Sequence, residues 1–295
     1  MLCIFFLYIA ALSAWRNQGV SVSSAIAGVI PIALVAIARA DSRSQRRGWS
    51  IARDWIPAGL VLVAYWSIDW VPAKPQDRAL ESAFVLWDRT LLLDWGLKAA
   101  AEHLGPFVPG LLELAYLILY AVLPLCIASF YLSHKRDRLD EFLFPFLVGT
   151  LTVYALLPHF PVQGPRFAFS NEDLPQIMTV FRRMNLWILD HWDIHASVFP
   201  SGHVAAAFSA SLAMRLAAPR RQAFARVLLA LAVLVWLNTI YGRYHYAADG
   251  LAAVMVTTAT ISILSAYKSR RAKMIHFGDG DPITVRAGTG KTTHG

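Results

Sequence analysis

A run of roughly 17–25 apolar residues can cross the hydrocarbon core of a bilayer as a helix. This 295-residue chain reads as eight apolar runs in succession, at about 2–15, 20–39, 53–71, 109–133, 141–159, 201–218, 224–242 and 245–267. The first is short and starts at Met1. It lacks a basic leader and a small-residue cleavage site, so it reads as a helix rather than a signal peptide. The chain is 57% hydrophobic and only 16% charged, whereas soluble domains carry roughly 25% charged residues. The deficit argues against a soluble enzyme and against a disordered chain. Cys3 and Cys126, the only cysteines, sit in apolar runs, which leaves no disulfide framework and no cysteine-built metal site. The expected fold class is an all-α polytopic membrane protein.

The net charge of +8 resembles a nucleic-acid signal until the charges are placed. Arg39, Arg43, Arg46, Arg47 and Arg53 form one cluster, and Lys135, Arg136 and Arg138 a second. Arg215, Arg220, Arg221 and Arg226 form a third, and Lys268, Arg270, Arg271 and Lys273 the last. Eight spans put all four on one side. By the positive-inside bias that side is the cytoplasm, and both termini lie there. Basicity here reports topology, and no nucleic-acid partner is expected. A multi-pass cell-membrane protein is.

The opposite, extracytoplasmic side receives three stretches. Segment 72–108 mixes charges with Phe84, Leu86, Trp87, Leu91, Leu92, Trp95 and Leu97, and reads as one or two amphipathic helices in the membrane surface. Asp88, Arg89 and Asp94 are expected to solvate the exposed face of such a helix. Segment 159–200 is a long loop rich in Pro, aromatics and His, and a tight turn falls near 242–245. The tail, about 274–295, is Gly/Thr-rich and is expected to be a disordered cytoplasmic segment. Its Gly-Thr-Gly-Lys-Thr-Thr (288–293) lacks the first glycine of a phosphate loop, because Val285 stands there.

Three extracytoplasmic sites carry polar groups where they are expensive. Gly164-Pro165-Arg166 follows the 141–159 span, with Pro158 and Pro161 breaking any helix. Its guanidinium can grip a phosphate through its fork of donors, or merely snorkel to the headgroups. Pro200-Ser201-Gly202-His203 opens the 201–218 span. Ser201 is a good N-cap, Gly202 lets a ligand approach the backbone, and the helix start attracts anions. His203 sits where it can protonate a departing oxygen. Tyr241–Asp249 holds His245 and Asp249 at i and i+4, on one helix face if the last span starts near Arg243. The acid can then orient the imidazole, which can itself be a nucleophile. A plain helix cap and a structural His–Asp pair are the bland alternatives. Together the three sites supply a phosphate grip, an anion-binding helix start, an acid and an oriented nucleophile, which is what phosphoryl transfer requires.

These residues resemble the type 2 phosphatidic-acid phosphatase superfamily, whose signature is Lys-x6-Arg-Pro, Pro-Ser-Gly-His and Ser-Arg-x5-His-x3-Asp. Pro200–His203 matches the second part, His245-x3-Asp249 the end of the third, and Arg166 the arginine of the first. His159 stands in place of the lysine, Phe167 follows the arginine, and Asn238-Thr239 replaces Ser-Arg. Arg243 is the candidate substitute for the missing arginine. The Gly-Pro-Arg form and the Thr before His-Tyr-x-x-Asp look most like the inositol phosphorylceramide synthase branch.

The resemblance implies a six-span helical bundle with an N-terminal extension of two or three spans, about eight spans in total, the extension over 1–71 and the enzyme core over 78–268. It implies that His245 attacks phosphorus to form a phosphohistidine, that Asp249 orients it, and that His203 acts first as acid and then as base. Arg166, Ser201, the Gly202 amide, Arg243 and a protonated His159 would hold the phosphate oxygens. No metal or cofactor is implied. The implied substrate is a phospholipid or polyprenyl phosphate drawn from the surrounding membrane lipids, with either water or an alcohol as acceptor. The competing classes are a membrane transporter, a non-catalytic membrane protein, and a metal hydrolase built on His203, His245 and Asp249.

Overall fold

A computed structural model of the chain describes residues 1–44, 47–170 and 173–278. The chain is 81% helical, with no strand among the described residues. In order the helices are α1 (Leu2–Arg16), α2 (Val22–Ser44), α3 (Arg47–Trp66), α4 (Arg78–Arg89), α5 (Leu97–His103) and α6 (Phe107–Leu132). They continue with α7 (Leu139–Leu156), the single turn α8 (Pro165–Ala168), α9 (Val180–Trp192), α10 (Gly202–Ala217), α11 (Gln222–Tyr241) and α12 (Ala247–Gly278). Two compact units are present, Met1–Ile261 and Ser262–Gly295. The second is described only to Gly278, as the end of a helix.

A helix forms at each of the eight expected spans. Among the described residues five segments are long and apolar enough to cross a membrane: Val22–Arg43, Phe107–Leu132, Arg136–His159, Pro219–Tyr241 and Ala247–Arg270. At 1.5 Å per residue, α1 with 15 residues and α10 with 16 are short for a full crossing. The chain is therefore a multi-pass membrane protein with five candidate spans among the described residues, short of the eight expected. Prolines lie inside α2, α3, α6 and α7 (Pro31, Pro57, Pro124 and Pro145). Membrane helices tolerate them where neighbours satisfy the freed backbone groups.

The centre of the first unit is α10, packed between α7 and α11. Its buried residues are small: Ala205, Ala207, Ser209, Ala210, Ser211 and Ala213. Small residues let helix backbones approach closely where no hydrophobic force separates helix from lipid. At Gly149 of α7 a Cβ would fall 2.5 Å from Ser209 Oγ. Two N-terminal helices rest on α7. Phe5 of α1 meets the Tyr154 ring at 6.5 Å, and Tyr8 Oη donates to the Ala155 carbonyl at 2.8 Å. Tyr65 of α3 packs on Tyr154 at 5.6 Å.

Segment 72–108 does form two short helices, but α4 is turned over relative to expectation. Its buried face carries Glu81, Val85 and Asp88, while Leu86 and Trp87 are exposed. Asp77 caps α4 by accepting from Leu80 N at 3.0 Å. Asp88 is fully buried rather than solvated, and Arg89 pairs with Asp173 at 2.9 Å. The inward carboxylates are explained by their partners. Glu81 accepts from Gln163 N at 2.8 Å, and Asp88 from Ala247 N at 2.8 Å.

The loop 159–200 is more ordered than a loop, since it holds α8 and the 13-residue α9 capped by Thr179. The expected tail 274–295 begins inside α12, which runs to Gly278. The rest of that tail, including 288–293, lies outside the described residues, as does Arg46 of the first basic cluster.

Candidate active site

The C-terminal ends of α7 and α11 meet the N-terminal ends of α10 and α12. Ser201 caps α10 with its Oγ accepting from Val204 N at 3.3 Å. Its own amide donates to the Asp249 carbonyl at 3.0 Å, which joins two sequence motifs through the backbone. Glycine suits position 202 because a Cβ there would lie 2.9 Å from the Tyr154 ring, which would have to shift.

The last helix starts at Ala247, not near Arg243. His245 therefore stands in the turn ahead of it, and the turn rather than helical spacing brings it to Asp249. Tyr244 N and His245 N both donate to the Thr239 carbonyl at 3.0 Å. Asp249 accepts from Tyr246 N at 2.9 Å, an N-terminal reach-back that also fixes its carboxylate.

His245 Nδ1 then lies 3.3 Å from Asp249 Oδ2 and 3.1 Å from the Val198 carbonyl. Its other nitrogen, Nε2, lies 3.3 Å from His203 Nδ1. A proton on Nδ1 satisfies the carbonyl or the carboxylate and leaves Nε2 with its lone pair. Loss of hydration pushes the His245 pKa down to about 4. The ring is thus held neutral.

Aromatic rings surround His203. Tyr116, Tyr65 and Tyr120 have centroids 5.1, 5.5 and 6.1 Å from it. Tyr65 Oη donates to Asp193 Oδ1 at 2.6 Å. Asp193 Oδ2 receives Arg166 at 3.3 Å, and Arg166 also reaches Asp190 at 2.8 Å and lies 4.3 Å over the Phe167 ring. Arg166 is therefore tied to the histidine pair through Asp193 and Tyr65. His203 and Asp193 both border a cavity of about 250 Å³ whose other walls are almost wholly apolar.

Of the expected phosphate ligands, His159 is held elsewhere and Arg243 is committed in part to an ion pair. His159 Nε2 lies 2.6 Å from Tyr8 Oη of α1. Arg243, at φ 61°, occupies the left-handed region that non-glycine residues rarely adopt. Its Nη1 reaches Asp88 at 2.5 Å, while its buried Nε and Nη2 have no partner among the described residues.

Sequence reasoning missed a second buried polar cluster beside the His245 turn. Glu113 of α6 pairs with Arg182 of α9 at 2.9 Å and accepts from Asn185 at 2.8 Å and Tyr244 Oη at 2.9 Å. Arg182 also reaches the Gly242 carbonyl at 3.3 Å. The available signal was Glu113 itself, a lone carboxylate inside the apolar run 109–133. Among the described residues no group of three or more His, Cys, Asp or Glu side chains is arranged to hold a metal ion.

No curated protein and no solved structure was found to match the chain. A family model described as the PAP2 superfamily matches residues 82–263, from α4 into α12. The match spans more than half of the 295 residues and includes Arg166, Ser201–His203 and His245–Asp249. On that match the chain belongs to the PAP2 superfamily.

Proposed function

We propose that this protein is an integral membrane enzyme that transfers the phosphoryl group or phospho-headgroup of a lipid-linked phosphate ester or diphosphate through a phosphohistidine on His245. One observation carries the reading. Asp249, His245 and His203 form a continuous chain of contacts at 3.3 Å each, and its His203 end opens on an apolar cavity. Superfamily members are generally phosphatases or phosphotransferases, and a membrane-embedded member acts on lipid-type substrates.

The chemistry follows from the two faces of His245. Asp249 and the Val198 carbonyl hold Nδ1–H, so Nε2 is the nucleophile. The N–P bond forms as the P–O bond to the leaving group breaks. His203 must give up its hydrogen bond to Nε2 as the ester binds, which puts its ring beside the departing oxygen; it enters the cycle as the imidazolium and donates its extra proton there, becoming neutral. In the second half His203 takes a proton from water or an alcohol, the new P–O bond forms, and the N–P bond breaks. Arg166, Ser201, the Gly202 amide and the unpaired nitrogens of Arg243 hold the phosphoryl oxygens. His159 is left out of this set, because it is held at Tyr8. No step calls on a metal or a cofactor.

In this reading the site faces the extracytoplasmic side, both termini are cytoplasmic, residues 1–71 are an extension and 78–268 the enzyme core. The Gly164-Pro165-Arg166 form resembles the inositol phosphorylceramide synthase branch, which moves a phospho-headgroup between lipids, and the acceptor is water or an alcohol.

The test is product formation by purified protein from phosphatidate, a polyprenyl diphosphate and phosphatidylinositol, each with and without diacylglycerol or ceramide. Free phosphate without acceptor, lost in His245→Ala, identifies a phosphatase. A new phospholipid formed only with acceptor identifies a transferase. No product with any substrate, in protein shown to be folded, contradicts the reading.

A further inference from the structure

The cavity at His203 is built in part by a helix outside the matched family segment. Five of its lining residues, Ala58, Val61, Leu62, Tyr65 and Trp66, belong to α3, whereas the match begins at residue 82. The facing walls come from α6, α7, α9 and α10, with Ala206 one turn beyond His203.

The polar groups lie together. His203, Asp193 and the Tyr65 hydroxyl mark one end, and the buried Tyr120 hydroxyl has no partner among the described residues. Every other lining side chain except Trp66 and Trp192 is purely apolar or phenolic. Leu62 lines the cavity and is also 43% exposed, so the cavity reaches the outer surface of the helix bundle beside α3. At the His203 end Trp66 Nε1 donates to the Trp192 carbonyl at 2.9 Å, and the two indoles lie 5.6 Å apart. That contact ties α3 to α9, the helix that carries the partners of Arg166.

We infer that α3 is the specificity wall of the site: the cavity takes the hydrocarbon chain of the phosphate ester, which enters laterally past Leu62 and lies against Ala58, Val61 and Leu62 while the phosphate meets His203. The inference rests on the proposed lipid-phosphate chemistry for the identity of the ligand. A chain in this cavity replaces contacts with lipid by contacts with packed apolar walls, and it fixes how deep the phosphate can sit. Enlarging a side chain on α3 therefore discriminates between substrates by chain, not by phosphate.

Two measurements on the full chain in nanodiscs test it. The first needs no turnover: a phosphatidate analogue with a diazirine at its chain end is photolysed on the His245→Ala protein and the adducts are mapped by mass spectrometry. Adducts on residues 58–66 and 119–123 are expected, falling at least ten-fold in Ala58→Phe and, from the opposite wall, in Ala206→Leu. Adducts confined to outer faces of α11 or α12, or unchanged in both variants, overturn the inference whatever the protein catalyses.

The second compares hydrolysis of long-chain phosphatidate with that of p-nitrophenyl phosphate. Ala58→Phe should raise KM at least ten-fold for the first and leave the second within two-fold. Equal effects on both overturn the chain assignment. Absence of any turnover in wild-type protein that still gives the expected adducts contradicts the catalytic reading and leaves the chain site standing.

Discussion

Arg243 Nη1 lies 2.5 Å from Asp88 Oδ2, with the arginine side chain 1% exposed and the aspartate not exposed at all. The pair spans 155 residues and ties the surface helix α4 to the turn that carries His245. Asp88 uses its second oxygen to accept from Ala247 N at 2.8 Å, at the start of α12. One carboxylate thus restrains both sides of the His245 turn.

Removing it leaves a buried guanidinium without a counter-charge, which costs about 3–5 kcal/mol. Asp88→Ala should lower the thermal unfolding midpoint in detergent and cut turnover. The double change Asp88→Leu, Arg243→Met should recover much of the midpoint. Turnover should stay low in the double variant, because the unpaired nitrogens of Arg243 are then gone. Full recovery of turnover would show that Arg243 serves structure alone.

The Glu113 cluster predicts a different signature. Arg182→Lys keeps the charge but loses the fork that reaches both Glu113 and the Gly242 carbonyl. Catalytic efficiency should fall about ten-fold or more, equivalent to about 1.4 kcal/mol, with KM for the substrate less affected than kcat. An unchanged kcat in the lysine variant would separate this cluster from the placement of His245.

Much of this arrangement is legible in the sequence, and the reason for the rest is physical. Apolar length marks where helices form, and Pro200–His203 and His245–Asp249 are short-range patterns that survive as local structure. Asp88 is different. Its amphipathic helix reads with the charges outward, as for a soluble surface, but beside a membrane Leu86 and Trp87 can face outward and the carboxylates inward toward Arg243 and Gln163. Nothing within a turn or two of Asp88 announces a partner 155 residues away. Arg243 reads as a phosphate ligand by its nearness to His245, which spacing alone cannot distinguish from an ion-pair role. Glu113 is the missed signal that the sequence does hold.

Burial of His245 bears on pH. With its pKa pushed down to about 4, the ring is neutral and nucleophilic at any pH above that value and is lost as a nucleophile only on acidification through it. Ring nitrogen resonances assigned by their absence in His245→Ala should show a neutral imidazole at pH 6. A titration midpoint at or above the ordinary histidine value of about 6.5 would contradict the enclosed geometry.

Asp249 is expected to act through His245 rather than at phosphorus. Asp249→Asn preserves shape but removes the charge that stabilises the developing imidazolium, a change that in comparable orienting roles costs about 10⁴ in kcat. Gly202→Ala should be milder, since the Tyr154 ring 2.9 Å from the new methyl must shift; overpacking of this kind costs about 1–3 kcal/mol. Steady-state kinetics on both variants check the order of the two effects, and a larger loss in Gly202→Ala would reverse the ranking of the two residues.

In the proposed mechanism His245 carries the phosphoryl group. The direct measurement is rapid acid-free quenching of the protein with a lipid phosphate labelled at phosphorus, followed by mapping of the bound label. A phosphohistidine mechanism predicts an acid-labile, alkali-stable label on His245, absent in His245→Ala and diminished in Asp249→Asn. Steady turnover of the same substrate with no label on the protein, or a label on a residue other than His245, would contradict it.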